Sequence, residues 1–149
     1  MKTKAPTALL LAAATATPAP PPLTHLFMAS VTPGATITIG PEAGGTRVAL
    51  PIAGGTFLPT GVDAGLVTSE NYFYPDGLAV LQTADGANIL FRDQGFQTTN
   101  ASIYGAVTFQ TGAARYAWLN TVVAVSSAAF SDGGIALDVF ILGDGIPSS

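Results

Sequence analysis

Residues 78–92 read Leu-Ala-Val-Leu-Gln-Thr-Ala-Asp-Gly-Ala-Asn-Ile-Leu-Phe-Arg, two short apolar runs joined through Asp85-Gly86. Asp-Gly suits tight turns in which backbone φ is positive, and such a turn between apolar runs is a strong local sign of a β-hairpin. The pattern recurs on both sides. Asp76-Gly77 and Asp132-Gly133 are expected to make further hairpin turns, and Asp144-Gly145 follows the last apolar run. Candidate strands are Thr36 to Ile39, Arg47 to Ala53, Leu66 to Tyr74, Leu78 to Thr83, Asn88 to Arg92, Ser102 to Phe109, Thr121 to Ser126 and Ile135 to Leu142. Near the start, His25, Phe27 and Ala29 alternate with Leu26, Met28 and Ser30, as in a strand with two different faces. Pro51 cannot donate to a ladder, so its strand is read as an edge or a bulge. Strands this short and closely spaced predict an all-β fold. The expectation is a small closed or nearly closed antiparallel β-barrel of about eight or more strands, because closure removes the exposed edges of an apolar sheet. At most a short helical turn is expected near Ala113 to Asn120.

Composition narrows the chemistry. The chain has 149 residues, 48% hydrophobic and 9% charged, enough for one domain and too apolar for disorder. From residue 20 onward three arginines face nine acids, and no lysine occurs. Phosphate neutralisation needs clustered basic residues, so no nucleic acid partner is expected. Without cysteine there is no thiol nucleophile or thiolate metal site. The single His25 rules out sites built on several imidazoles. The acids are scattered, and the glycine-rich segments lack the Gly-Lys-Ser/Thr of a phosphate loop. No metal and no cofactor are expected. Asp, Glu, Tyr, Arg and hydroxyl groups remain.

The N-terminus has the layout of an address. Lys2 and Lys4 precede the apolar run Thr7 to Ala16, which ends in Ala14-Thr15-Ala16 before the proline run Pro18 to Pro22. Residues 1–16 are read as a secretory signal peptide, 17–22 as a Pro-rich linker and 23–149 as a single β-barrel domain. An alanine-rich tail, or a short helix lying on the domain, is the alternative. The run is too short for a stable membrane span, which needs about 20 residues. Asn100-Ala101-Ser102 is a glycosylation sequon, consistent with a secreted protein carrying sugar at Asn100.

Tyr72 and Tyr74 bracket Phe73 at period two, so their hydroxyls are expected on one face of a strand. With Arg115 they are the candidate catalytic groups: a phenol moves a proton and a guanidinium stabilises a developing enolate or phenolate. Tyr116, Trp118 and Arg92 are candidate ligand-binding residues. Each has a bland reading beside it. The tyrosines would make a solvent-facing pair, Arg115 an ion pair, and Tyr116 with Trp118 a cover for one end of the barrel. Trp118 is expected to be mostly buried. Asp76 and Asp85 could act as paired carboxylates, although each precedes a glycine where Asp commonly supports a turn. Arg92 and Asp93 are read as the wet end of their strand, and His25 as structural.

Gly54-Gly55-Thr56-Phe57, Pro75-Asp76-Gly77, Thr83-Ala84-Asp85-Gly86-Ala87 and Thr111-Gly112-Ala113-Ala114-Arg115-Tyr116-Ala117-Trp118-Leu119-Asn120 occur in that order. The ordered set resembles the domain-of-unknown-function 3237 family, also called uncharacterised protein family 0311, from about Leu23 to Leu142. The resemblance implies a small antiparallel β-barrel and no established activity. Family members usually carry Gly-Gly-x-Asp-Trp before the Pro-Asp-Gly segment, where Thr68-Ser69-Glu70-Asn71-Tyr72 stands here.

The functional expectation is a barrel pocket for a small apolar or aromatic metabolite, as in a cofactor-free cyclase or isomerase. A non-catalytic secreted carrier and a structural barrel with a filled core are the alternatives, and a homo-oligomer is compatible with each. A cavity of roughly 300 Å³ or more with converging Tyr or Arg groups would favour the ligand-binding readings.

Overall fold

The computed structural model describes residues 18–146. The expected signal segment therefore lies outside the described residues. Eleven strands form one antiparallel sheet: β1 Leu23–Pro33, β2 Ile37–Glu42, β3 Gly45–Gly55, β4 Val62–Asp63, β5 Leu66–Thr68, β6 Phe73–Tyr74, β7 Asp76–Gln82, β8 Asn88–Gln97, β9 Ile103–Gln110, β10 Ala124–Ser131 and β11 Gly134–Leu142. Eight of them close a barrel in the order β1-β11-β10-β9-β8-β7-β4-β3, and β3 returns to β1. The other strands extend from the first half of β3, which pairs with β2 and β5, and β5 pairs with β6. Pro51 sits where β3 changes partners, in a barrel strand whose next residue, Ile52, faces the core.

Turn chemistry decides two of the expected hairpins. Gly86 and Gly133 adopt φ of 84° and 94°, and Asp85-Gly86 and Asp132-Gly133 are tight turns as read. Asp76-Gly77 is not a turn. It opens β7, where Gly77 pairs with Asp93 on one side and Asp63 on the other. The chain direction is set there by ladder bonds to two neighbours, which outweigh the local turn preference of Asp-Gly.

Alternation fills the interior. Ile89 and Phe91 of β8, Ile103, Val107 and Phe109 of β9, and Leu137, Val139 and Ile141 of β11 point inward and are buried. Phe91 packs against Phe27, Phe57 and Phe109 at ring separations of 4.9–6.4 Å. A 3₁₀ helix over Ala114–Thr121, the expected helical turn, lies at the end where β9 finishes and buries Leu119. Trp118 is half-buried and packs on the core edge, so Leu119 rather than Trp118 is the closing residue.

Candidate functional site

At the end away from the 3₁₀ helix, the inward face changes character. Asp63, Gly77 and Asp93 occupy one rung across β4, β7 and β8, and adjacent partners on a rung share a face. Gly77 carries no side chain, so the Asp63 carboxyl leans over it, and both Asp63 and Asp93 line one cavity. Asp63 Oδ2 lies only 3.7 Å from where a Cβ at position 77 would be. The Cα atoms of Asp63 and Asp93 are thus two strand spacings apart, about 9–10 Å. Val31, Pro33, Phe73, Ile103, Ile135 and Leu137 are among the apolar residues completing this cavity of about 60 Å³.

A second glycine shapes Asp93. Gly105 of β9 pairs with Ser126 of β10, and the Asp93 carboxyl reaches across Gly105 to accept a 2.8 Å hydrogen bond from the Ser126 hydroxyl on Oδ2. A Cβ at position 105 would fall 1.8 Å from Asp93 Oδ1. Ser126 is the one buried polar residue among those described, at 2% exposure. Asp93 Oδ1 is out of reach of solvent and has no hydrogen-bond partner. Burial pushes the Asp93 carboxyl from 3.8 up to about 6, with the Ser126 bond acting against it. Asp63 Oδ1 accepts a 2.8 Å bond from the backbone N–H of Asp76. Burial lifts its carboxyl to about 6 as well, opposed by that bond and reinforced by the nearby Asp93 and Asp76 charges.

The groups singled out from sequence lie elsewhere. Phe73, between the two tyrosines, is the residue that lines the cavity, and neither Tyr72 nor Tyr74 does. Tyr74 packs edge-on against Phe96 at 4.9 Å on the outer face, beside Arg47 and Asp76. Arg92 is also outside, donating to Asp76 Oδ1 at 3.2 Å. Arg115 and Tyr116 gather at the opposite end of the barrel. There the Tyr116 hydroxyl donates to Asp85 Oδ1 at 3.0 Å, and Arg115 stands 3.4 Å from Asp85 Oδ2. Thr83 also donates to Asp85, and these bonds hold that carboxyl below its usual range, the Thr83 bond most strongly. The Asp85 hairpin and the 3₁₀ helix are thereby tied together. Asp93 is about 17 Å along β8 from the Asn88 end of that hairpin. The expectation that Tyr72, Tyr74 and Arg115 reach one cavity is not met, because the barrel length separates the last from the first two. Asp76 and Asp85 do not meet as a pair for the same reason. His25 pairs with Asp138 at 2.8 Å on the outer surface. Asn100 is exposed in the β8–β9 turn.

Asp93, read as a wet strand end, faces the interior in the middle of β8. The signal was present: Ile89, Phe91 and Asp93 are two residues apart, and the apolar members fix the inward face. Asp63 offered no such signal, since β4 spans only Val62–Asp63. Among the described residues, no three His, Cys, Asp or Glu side chains converge as a metal cluster, and no helix is long and apolar enough to cross a membrane.

A family profile described as a protein of unknown function, DUF3237, matches residues 21–107 and 97–142. The chain belongs to the DUF3237 family. This DUF3237 barrel is also similar to solved structures. A β-barrel-like protein from Acinetobacter baumannii superposes with a TM-score of 0.77 at 26% identity, over 85% of this chain and 98% of that one. An enzyme from Penicillium herquei superposes with a TM-score of 0.70 at 25% identity, over 85% and 98%. In sequence, the hydroalkoxylation enzyme phnH of Penicillium herquei is 33% identical over 127 residues, covering 72% of this chain and 74% of that protein.

Proposed function

We propose that the barrel mouth binds a small, largely apolar or aromatic metabolite and that Asp63 and Asp93 together carry out cofactor-free acid–base chemistry on it. One observation carries the reading: two carboxyls with raised proton affinity face one otherwise apolar cavity, and one of their oxygens is buried without a partner. Carboxyls that hold protons near pH 6 are suited to both giving and taking a proton at neutral pH.

The reaction class is an isomerisation in which a hydroxyl adds across a carbon–carbon double bond of the same molecule, closing a cyclic ether. Hydroalkoxylation, the addition of a hydroxyl across a carbon–carbon double bond, is the activity in the name of the phnH relative, and its ring-closing form needs one proton taken from oxygen and one given to carbon. The cavity, at about 60 Å³, takes the reacting end of such a ligand rather than the whole. Phe130, 55% exposed and 6.3 Å from Phe73, offers an apolar rim for the remainder. The cavity is smaller than the roughly 300 Å³ of a full ligand pocket. That is the one observation favouring a filled, non-catalytic barrel.

The test is incubation with phenols bearing an alkene, 2-allylphenol being the simplest, followed by chromatography and mass spectrometry for products of unchanged mass. Asp63→Asn and Asp93→Asn should each lower turnover by about 10²–10⁴. Full activity in the double variant would overturn the acid–base reading. A rise in melting temperature without turnover across the panel would favour a carrier.

A further inference from the structure

We propose that Phe73 sets the width of the ligand that reaches the two aspartates, its ring closing the cavity on a flap, residues 69–74, that opens to admit a flat aromatic ring. This rests on the ligand-binding reading above and adds to it the residue that selects the ligand.

The cavity, at about 60 Å³, is far below the roughly 300 Å³ of a ligand pocket, so a wall must move before a ring can enter. Most of the wall is carried by the eight barrel strands, and each of these has a backbone ladder on both sides. Phe73 is the exception. Its strand β6 pairs with β5 through two rungs, Leu66 with Tyr74 and Val67 with Phe73, and has no ladder on its other side. Side chains alone hold that side to β8. The Phe73 N–H donates to Gln97 Oε1 at 2.7 Å, and the Tyr74 ring meets Phe96 edge-on. A segment with so few backbone bonds opens at a lower free energy than the ladders around it.

The Phe73 ring is placed as a stopper. It is buried, and it lies so close over Gly65 that a Cβ there would fall 2.3 Å from Phe73 Cε2. It also meets Phe130 of β10 at 6.3 Å. β6 and β10 are not neighbours in the sheet, so this contact bridges the barrel mouth.

The flap can swing without disturbing the carboxyls. Its base is tied off by Asp63, whose Oδ1 accepts the Asp76 N–H, and by the Ala64 N–H, which donates to the Asp76 carbonyl at 2.9 Å. β5 stays in its three-rung ladder to β3. A ligand ring then takes the space that Phe73 vacates, against bare Gly65 on one side and Phe130 on the other. A flat aromatic body with its reactive substituent innermost is the ligand class that this geometry selects.

Amide hydrogen exchange followed by NMR on the full chain tests the flap with no ligand. The Phe73 amide, and the Thr68 amide that bonds the Tyr72 carbonyl, should exchange at least about 100-fold faster than the ladder amides of Phe91 and Val107. Gln97→Leu should speed Thr68 exchange about tenfold by unlatching the flap, although Gln97 bonds Phe73 and not Thr68. Gln97→Glu keeps an acceptor and should leave the rate near native. Selection is read from calorimetric dissociation constants for 2-allylphenol and 1-allyl-2-naphthol. The native protein should prefer the single ring, and Phe73→Leu should reduce that preference by about tenfold. Phe73→Met, close in volume and flexible, serves where Phe73→Leu does not fold. Exchange of Phe73 and Thr68 in step with the ladder amides would overturn the proposal. So would a native protein that binds both compounds alike, or a preference unchanged in the Phe73 variants. Binding of neither compound by native protein and variants would refute the ligand-binding reading, and the exchange result would still decide the flap.

Discussion

Asp93→Asn is expected to remove chemistry and to gain stability relative to the native protein as pH rises, and the size of that change follows from the site. In the folded protein the carboxyl holds its proton up to about pH 6, whereas its ordinary value is 3.8. Between these values the folded state binds more protons than the unfolded one, so stability falls as pH rises through the window and stays lower above it. At about 1.4 kcal/mol per unit, the shift corresponds to roughly 3 kcal/mol at pH 8 that is absent well below pH 4. An amide in the same place never ionises and escapes this loss. It does leave an N–H₂ group beside Gly105 without a partner, a cost of roughly 1–3 kcal/mol. That cost is the same at every pH, so it cancels when two pH values are compared. The measurement is urea unfolding of native and variant protein at pH 3.5 and pH 8. The stability of the variant relative to the native protein should rise by about 2–3 kcal/mol between them, equivalent to about 2–4 °C in melting temperature per kcal/mol at this size. A difference independent of pH would refute the claim that Asp93 is a buried carboxyl paying a desolvation cost.

Gly105→Ala should destabilise by about 1–3 kcal/mol and abolish turnover, because the new Cβ would sit 1.8 Å from Asp93 Oδ1 and must push the carboxyl off Ser126; thermal unfolding and activity report the two effects. Phe91→Ala should cost about 3–5 kcal/mol in urea unfolding, since Phe91 is 4% exposed and touches Phe27, Phe57 and Phe109. Tyr72→Phe and Tyr74→Phe should leave turnover unchanged in the same-mass product assay, as neither residue lines the cavity; a large loss would return these hydroxyls to the mechanism. For the secretory reading, intact mass of natively produced protein should show a chain beginning near Thr17 with sugar on Asn100, and a major species retaining Met1 would reject it.

How much was legible differs between scaffold and site. Period-two alternation in Ile89-Leu90-Phe91 and Asp-Gly at 85–86 are properties of a few adjacent residues, and they marked strands and turns that the barrel contains. Asp-Gly at 76–77 misled for the same reason: a local preference was read where ladder partners on both sides decide the backbone. Tyr72 and Tyr74 bracket a residue that faces inward, and only the pairing of Phe73 with Val67 and its place in the cavity wall show which face is which.

The sequence by itself determined an antiparallel barrel with one short helical turn, because strand period, turn residues and the need to bury apolar faces are all encoded over spans of a few residues. The tertiary structure alone decided the site. Asp63, Asp93 and Ser126 lie 30 and 33 residues apart in succession and have no local pattern in common. They gather because strand register places Gly77 between the first two and Gly105 beside the last two, and a missing side chain at each position leaves room for the Asp63 carboxyl over Gly77 and for the Asp93–Ser126 bond over Gly105. Register is a property of the closed sheet as a whole, and a slip of one residue would turn both carboxyls out to water.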